Sequence, residues 1–253
     1  MFSIERHNEI LLLLKAKKSV TVKELSQVFY VSEATIRRDL VKLNKLGVLR
    51  KTFGGAVLLE GLDTEIPLSV RETEQRNEKE IIGALASKMV HNDHIIILDS
   101  SSTTLKMAPY LHTLENLTVI TNGAKTAIEL GEFLHTQVYA TGGKLRENSL
   151  SYIGEHARNA IQNFYVDLLF FSCRGLSLEY GLYDSNPEEA ELRKIMITQS
   201  KKTVLLCDHT KFDKESFCKI SDFHNIHVVV TDRCPSEKWV RFFSEQKIEL
   251  IYR

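Results

Sequence analysis

The chain has 253 residues, 43% hydrophobic and 26% charged, with 33 Lys/Arg against 33 Asp/Glu. This is an ordinary globular composition, long enough for one large domain or for one large and one small. The longest apolar runs, at 10–14 and 95–98, are far too short to cross a bilayer, and no small-residue cleavage site follows the first, so neither a membrane span nor a signal peptide is expected. Cys173, Cys207, Cys218 and Cys234 form no CxxC pair, which favours reduced thiols in a cytoplasm over a disulfide framework or a zinc site.

The zero net charge conceals an asymmetry. Residues 1–60 hold 11 Lys/Arg against 6 Asp/Glu, and the remainder holds 22 against 27. A basic N-terminal part on an acidic body suits a DNA-binding head on a sensor. Within it, Ile4, Ile10, Leu11 and Leu14 predict an amphipathic first helix. Thr21 and Glu24 have the spacing of a capping box opening a second helix, with Val22, Leu25, Val28 and Phe29 as its apolar face. Tyr30 and Val31 read as a tight turn, after which Ser32 caps a third helix with Glu33 in its first turn.

That third helix is the informative one. Ile36, Leu40 and Leu43 recur at i, i+4 and i+7 and predict a buried stripe, leaving Ala34, Arg38, Val41, Lys42 and Lys45 on the far side and Thr35 and Arg37 at its flanks. A short turn between two helices, the second basic on its outer face, is the pattern of a helix-turn-helix. Gly47 ends the helix, and residues 48–59 around Gly54 and Gly55 predict a hairpin whose Arg50 and Lys51 reach phosphates, a wing. The candidate DNA-contacting residues are therefore Ser32, Thr35, Arg37, Arg38, Lys42, Lys45, Arg50 and Lys51. The stretch from Val31 through Ser32, Thr35, Ile36, Arg37, Arg38, Asp39 and Leu40, followed by Leu46-Gly47 and Phe53-Gly54-Gly55-Ala56, resembles the winged helix-turn-helix of the DeoR family.

Residues 60–75 lack helical periodicity and contain Gly61 and Pro67, which predicts a linker over 59–75 between a head at 1–58 and a body at 76–253. In the body, strands at 94–98, 117–121, 137–140, 166–171, 203–207, 227–230 and 248–252 are expected to alternate with helices at 78–90, 104–111, 188–200 and 236–246. This predicts an α/β domain with an open, mostly parallel sheet, in which ligands bind at the carboxyl ends of strands. At those ends stand Asp99 with five hydroxyls in a row, Ser100, Ser101, Ser102, Thr103 and Thr104, entering a helix; Asn122; Gly142 and Gly143; and Lys211. Hydroxyls and free amides at a helix N-terminus suit a phosphate or a sugar.

The body resembles the DeoR-type sensor domain over nearly all of 75–253, through the stretch from Leu98 to Thr104, Asn122, Gly142-Gly143, Gly154, Gly181 to Asp184 with Glu188-Glu189-Ala190, and Asp208 to Phe212. The resemblance implies a fold similar to phosphosugar isomerases and a phosphorylated sugar as effector. It implies Asp99, Ser100, Ser101, Ser102, Thr103, Thr104, Asn122, Gly142, Gly143, Asp184 and Lys211 as ligand residues. Many family members have glycine where this chain has Ser101.

His91 and His94, and His224 and His227, stand three apart without further ligands, so no metal site is expected. Neither a P-loop nor a GxGxxG is present, and no cofactor is expected. Phe170-Phe171 and Phe242-Phe243 read as core or subunit interface. The expected function is a cytoplasmic, sequence-specific transcriptional regulator without catalytic residues: a repressor of carbohydrate use relieved by a phosphorylated sugar. An activator, or a phosphosugar isomerase-like enzyme with an accessory head, stands as the alternative. A head of this size covers one half-site, so a homo-oligomer, dimer or tetramer, is expected.

Overall fold

The computed structural model describes residues 2–45, 47–58 and 66–253, the side chains of Ile4 and Lys45 excepted. The chain divides into two compact units, Met1–Glu74 and Gln75–Arg253.

The first unit runs α1 (Ser3–Lys17), β1 (Ser19–Thr21), α2 (Val22–Phe29), α3 (Glu33–Lys45), β2 (Leu49–Lys51), β3 (Gly55–Leu58) and α4 (Leu68–Thr73). The capping box forms: the Glu24 amide donates to Thr21 Oγ1 at 3.1 Å, and the Glu24 carboxylate returns to the Thr21 amide. Tyr30 takes the left-handed conformation at φ 53°, turning the chain so that Ser32 Oγ accepts from the Thr35 amide at 3.2 Å and opens α3. Ile36, Leu40 and Leu43 are fully buried and join Ile10, Leu14 and Leu25 in one core. Val28, expected on the apolar face of α2, is exposed instead, because Val22, Leu25 and Phe29 are the residues of that short helix that pack into the core.

The hairpin β2–β3 is antiparallel, as the glycine pair suggests, but β3 also pairs with β1 and makes a three-stranded sheet. Gly55 is needed for that third strand: a Cβ there would lie 2.0 Å from the Val20 carbonyl oxygen. The expected linker needs correcting. Residues 59–65 lie outside the described residues, but 68–73 form α4, whose Val70 is buried in the core of the first unit. A six-residue helix spans fewer than two turns and leaves no period to detect.

The second unit begins with α5 (Arg76–Ser87) and β4 (Ile95–Leu98), then a 3-10 helix, Thr104–Tyr110. It continues through β5 (Leu117–Thr121), α6 (Ala124–Gly131), β6 (Thr136–Ala140), the short pair β7 (Lys144–Leu145) and β8 (Tyr152–Ile153), α7 (Glu155–Gln162) and β9 (Val166–Phe171). The rest is β10 (Gly175–Ser177), β11 (Gly181–Asp184), α8 (Pro187–Thr198), β12 (Ser200–Leu206), β13 (Cys218–Ser221), β14 (Val228–Val230), α9 (Glu237–Glu245) and β15 (Glu249–Ile251). Seven strands form one parallel sheet in the order β15-β14-β12-β9-β4-β5-β6. Side chains alternate between its faces. Ile97, Ile120, Leu169, Phe171, Leu205 and Val229 pack with the α7, α8 and α9 side, and Ile96, Leu98, Val119, Phe170, Val204 and Val230 with the α5 and α6 side. A separate antiparallel sheet, β10-β11-β13, adds to the first face. Phe170, Phe171 and Phe243 are wholly buried.

From β4 the chain winds outward through β5 to β6, then crosses back to β9 on the other side of β4. The winding direction therefore reverses between β4 and β9, and at such a reversal the strand ends part and open a crevice.

Candidate functional site

The outer face of α3 is as basic as its sequence. Arg37, Arg38 and Lys42 are exposed, Ser32 is exposed, and Thr35 is half-buried with its hydroxyl 3.0 Å from that of Ser32. Lys45 ends the helix, and its side chain is outside the described residues. Arg50 and Lys51 are exposed on β2, which is tied to α3 where the Lys51 amide donates to Asn44 Oδ1 at 2.9 Å. Helix face and wing are thus joined by one hydrogen bond in a single cationic surface. Arg37 pairs with Glu33 at 3.2 Å, so that cation is partly neutralised, whereas Arg38 makes only a 3.5 Å contact to Thr35.

Sequence reasoning passed over Asp39. It is buried on the inner side of α3, where Arg6 Nε donates to it at 2.6 Å and His7 Nε2 lies 2.8 Å away. Burial pushes its carboxyl up, but the hydrogen bonds from Arg6 and His7 outweigh this and hold it below the ordinary carboxylate range. This pair locks α1 against the recognition helix.

In the second unit the residues at the strand ends fall into distinct groups. Asp99 leaves β4 beside the reversal point and is committed to the protein. Its Oδ1 accepts from the Ser101 amide at 3.0 Å and Thr104 Oγ1 at 2.9 Å, and its Oδ2 from the Ser172 amide at 3.2 Å and Arg193 Nε at 2.8 Å. Asp184 is likewise bound to Arg193 Nη1 and accepts from the Asn186 amide at 3.0 Å. Glu189 reaches Arg193 at 3.4 Å, Arg146 at 2.7 Å and Ser151 at 2.5 Å. One buried guanidinium therefore gathers carboxylates from three elements. Burial presses against its charge, yet Asp184, Asp99 and Glu189 raise its pKa still further.

The hydroxyl run divides in two. Ser101 and Thr104 serve the loop itself: Ser101 Oγ accepts from the Thr104 amide at 3.1 Å, and Thr104 Oγ1 donates to the Asp99 carbonyl at 2.9 Å. Ser101, where a glycine would be ordinary in the family it resembles, therefore closes the loop. Ser102 and Thr103 are buried, at 4% and 2% exposure, yet neither hydroxyl has a hydrogen-bond partner among the described residues. The amides of Ser100, Ser102 and Thr103 also donate to no described group. The helix that follows is a 3-10 helix containing Pro109, so the aligned dipole expected of an α-helix is weaker here.

Asn122, at the end of β5, donates to Ser100 Oγ and the Tyr152 carbonyl, both at 3.3 Å, and leaves its buried Oδ1 without a partner. A second orphaned acceptor is Asp208 Oδ2 after β12, a residue no spacing argument singled out; its other oxygen is taken by the Thr210 amide at 3.0 Å. Buried acceptors of this kind are rare and cost free energy until something donates to them. Lys211 is half-buried, and its charge opposes the rise of the Cys173 thiol, which burial pushes up to about 12. Gly142 and Gly143 have φ of 64° and 109°, and a Cβ on Gly143 would lie 2.7 Å from the Ile153 carbonyl oxygen; its role is close packing of β8. Among the described residues no three His, Cys, Asp or Glu are grouped to hold a metal, and no helix is long and apolar enough to cross a membrane.

One unit is a winged helix-turn-helix with a cationic face, and the other is a doubly wound sheet with polar residues gathered at its reversal point; together they define a DNA-binding regulator with a sensor domain. The comparisons with known proteins agree. Residues 6–61 match the DeoR-like helix-turn-helix domain and residues 74–233 the DeoR C-terminal sensor domain. The chain belongs to the DeoR family of transcriptional regulators. It is 41% identical to the HTH-type transcriptional regulator GolR of Listeria innocua, over 92% of this chain and 91% of that one. It is 31% identical to a putative aga operon transcriptional repressor of Escherichia coli O157:H7, over 90% and 86%, and 30% identical to the HTH-type transcriptional repressor GlcR of Bacillus subtilis, over 99% and 96%. Among solved structures, ribose 5-phosphate isomerase A of Methanocaldococcus jannaschii is similar at 14% identity and a TM-score of 0.41, covering 55% of each chain. The sheet order itself, not this distant likeness, carries the fold.

Proposed function

We propose that this regulator is a repressor that holds operator DNA through Ser32, Thr35, Arg37, Arg38, Lys42, Lys45, Arg50 and Lys51, and that a phosphorylated sugar in the sensor crevice releases it. The observation that carries the ligand assignment is the set of buried, uncommitted polar groups at the carboxyl ends of β4, β5 and β12: the Ser102 and Thr103 hydroxyls, three free amides, and the orphaned oxygens of Asn122 and Asp208. Donors clustered in the 100–104 loop suit the acceptor oxygens of a phosphate, and lone acceptors at neighbouring strand ends suit the hydroxyl donors of a sugar. Lys211 adds positive charge. Asp99 and Asp184 act indirectly, by fixing the loop through Arg193. The repressor sign follows the relatives named as repressors. The domain binds its sugar without turning it over.

Two tests address the two halves. Replacing Arg38 by Ala is expected to weaken operator binding by about 1–3 kcal/mol if the guanidinium reads a base, and the log–log salt slope should be roughly −0.9 per phosphate neutralised. Footprinting across a salt series measures both; protection independent of salt would contradict the assignment. Replacing Ser102 and Thr103 together by Ala is expected to leave operator binding intact and abolish the response to sugar phosphates, because neither hydroxyl stabilises the loop. Calorimetric titration with each sugar in phosphorylated and free form is the measurement. Equal affinity for both forms would remove the phosphate from the account.

A further inference from the structure

The two edges of the seven-stranded sheet are built differently. β15 is three residues long, contains Glu249 and is flanked by Lys247 and Arg253, the short, charged edge with which proteins prevent unwanted pairing. β6 carries no such protection. It is five residues long, and residues 133–143 around it contain no Lys, Arg, Asp, Glu or Pro. No strand among the described residues pairs with its outer side. Apolar side chains lie exposed beside it: Leu134 in the turn leading in, at 94%, Ile128 on the adjoining α6, at 70%, and Tyr139 on the strand, at 47%.

The hydrogen-bonding groups of this edge can be assigned. The Thr141 amide donates to the Thr121 carbonyl of the β5 side at 3.0 Å, so by alternation Tyr139 and Gln137 also turn their amides inward. Val138 and Ala140 turn theirs outward. Thr136 shares that phase, but its amide is directed to the Phe133 carbonyl at 3.4 Å.

We propose that the β6 edge is the interface with a second copy of this chain, the two strands pairing antiparallel across a two-fold axis. An isologous interface must complement itself, and an uncharged edge meets its own image without repulsion, as a charged one does not. With Val138 and Ala140 as the outward pairs, Val138 of one copy faces Ala140 of the other. Tyr139 then meets its own counterpart in the close, non-hydrogen-bonded position at the axis. The exposed Leu134, Ile128 and Tyr139 supply apolar contact on either side. The inference rests on the DNA-binding reading only in that two half-sites call for two heads.

The test is sedimentation of the full-length chain at micromolar concentration, without DNA or sugar. Wild type is expected as a multiple of the 28.9 kDa chain, and Ala140→Pro, which removes an amide proton unused within the protomer, is expected at half the wild-type mass. Tyr139→Cys in a Cys234→Ser background is expected to cross-link between copies under mild oxidation, which guards against misfolding of the proline variant. A monomeric wild type, an Ala140→Pro variant of unchanged mass, or a folded Tyr139→Cys that stays uncross-linked would overturn the proposal. Sugar titrations of the same variants read the crevice separately, so the two readings fail separately.

Discussion

Arg193→Met is expected to lower the stability of the sensor unit by about 3–5 kcal/mol, because it strips the counter-charge from carboxylates that remain buried. Asp99, Asp184 and Glu189 are 1%, 3% and 6% exposed, and Arg146 pairs with Glu189 at 2.7 Å. The chain has a single tryptophan, Trp239, fully buried among Phe212, Phe223 and Phe243 in the sensor unit. Its fluorescence therefore reports sensor unfolding without interference from the head. A shift of the urea midpoint of about 1–2 M is expected for this loss. Arg193→Lys keeps the charge but loses the planar fork that reaches Asp99 through Nε and Asp184 through Nη1, so it should fall between. A midpoint unchanged in Arg193→Met would show that the carboxylates do not depend on the guanidinium.

The second large effect belongs to the head. Asp39→Ala removes the buried carboxylate that Arg6 and His7 share beneath the recognition helix, at a cost of about 3–5 kcal/mol. For a unit of 74 residues, with roughly 0.05–0.15 kcal/mol per residue to lose, that is a large share of the whole. Far-UV circular dichroism should show the α1–α3 signal lost and operator binding gone, with the Trp239 transition unmoved. The same carboxylate sets a pH dependence. Its folded pKa lies below the unfolded value of about 4, so the stabilisation is complete above that value and is lost as pH falls through the folded pKa. Wild type should lose operator binding in acid over that window. An Asp39→Ala head that binds operator like wild type would contradict this account of the helix lock.

What could be read from the sequence was what is local. The Thr21 and Glu24 box, the Ser32 cap and the Ile36, Leu40 and Leu43 stripe all act within a few residues, and each recurs in the structure. The parallel strands declared themselves as short apolar runs because both faces of the sheet are covered. The sheet β10-β11-β13 did not, since its strands are three or four residues long and Asp184 pairs with Cys218 far along the chain. The site was half legible. The hydroxyl run marked the candidate site, but only hydrogen-bond partners separate Ser101 and Thr104, which close the loop, from Ser102 and Thr103, whose hydroxyls have no partner among the described residues. Arg193 sits among charged neighbours in α8 and reads as a solvated helix face; the Asp99 carboxylate that buries it stands 94 residues away.

The central claim, that the crevice controls the head, is tested most directly by reciprocity. Labelled operator is titrated with full-length protein in the presence of each member of a panel of sugar phosphates, and each sugar phosphate is titrated with and without saturating operator. One of them is expected to raise the operator Kd by at least about tenfold, equivalent to about 1.4 kcal/mol of coupling, and operator should raise the Kd of that sugar phosphate by the same factor. A sugar phosphate that binds the sensor while the operator Kd stays constant, or that is converted to product, would contradict the account.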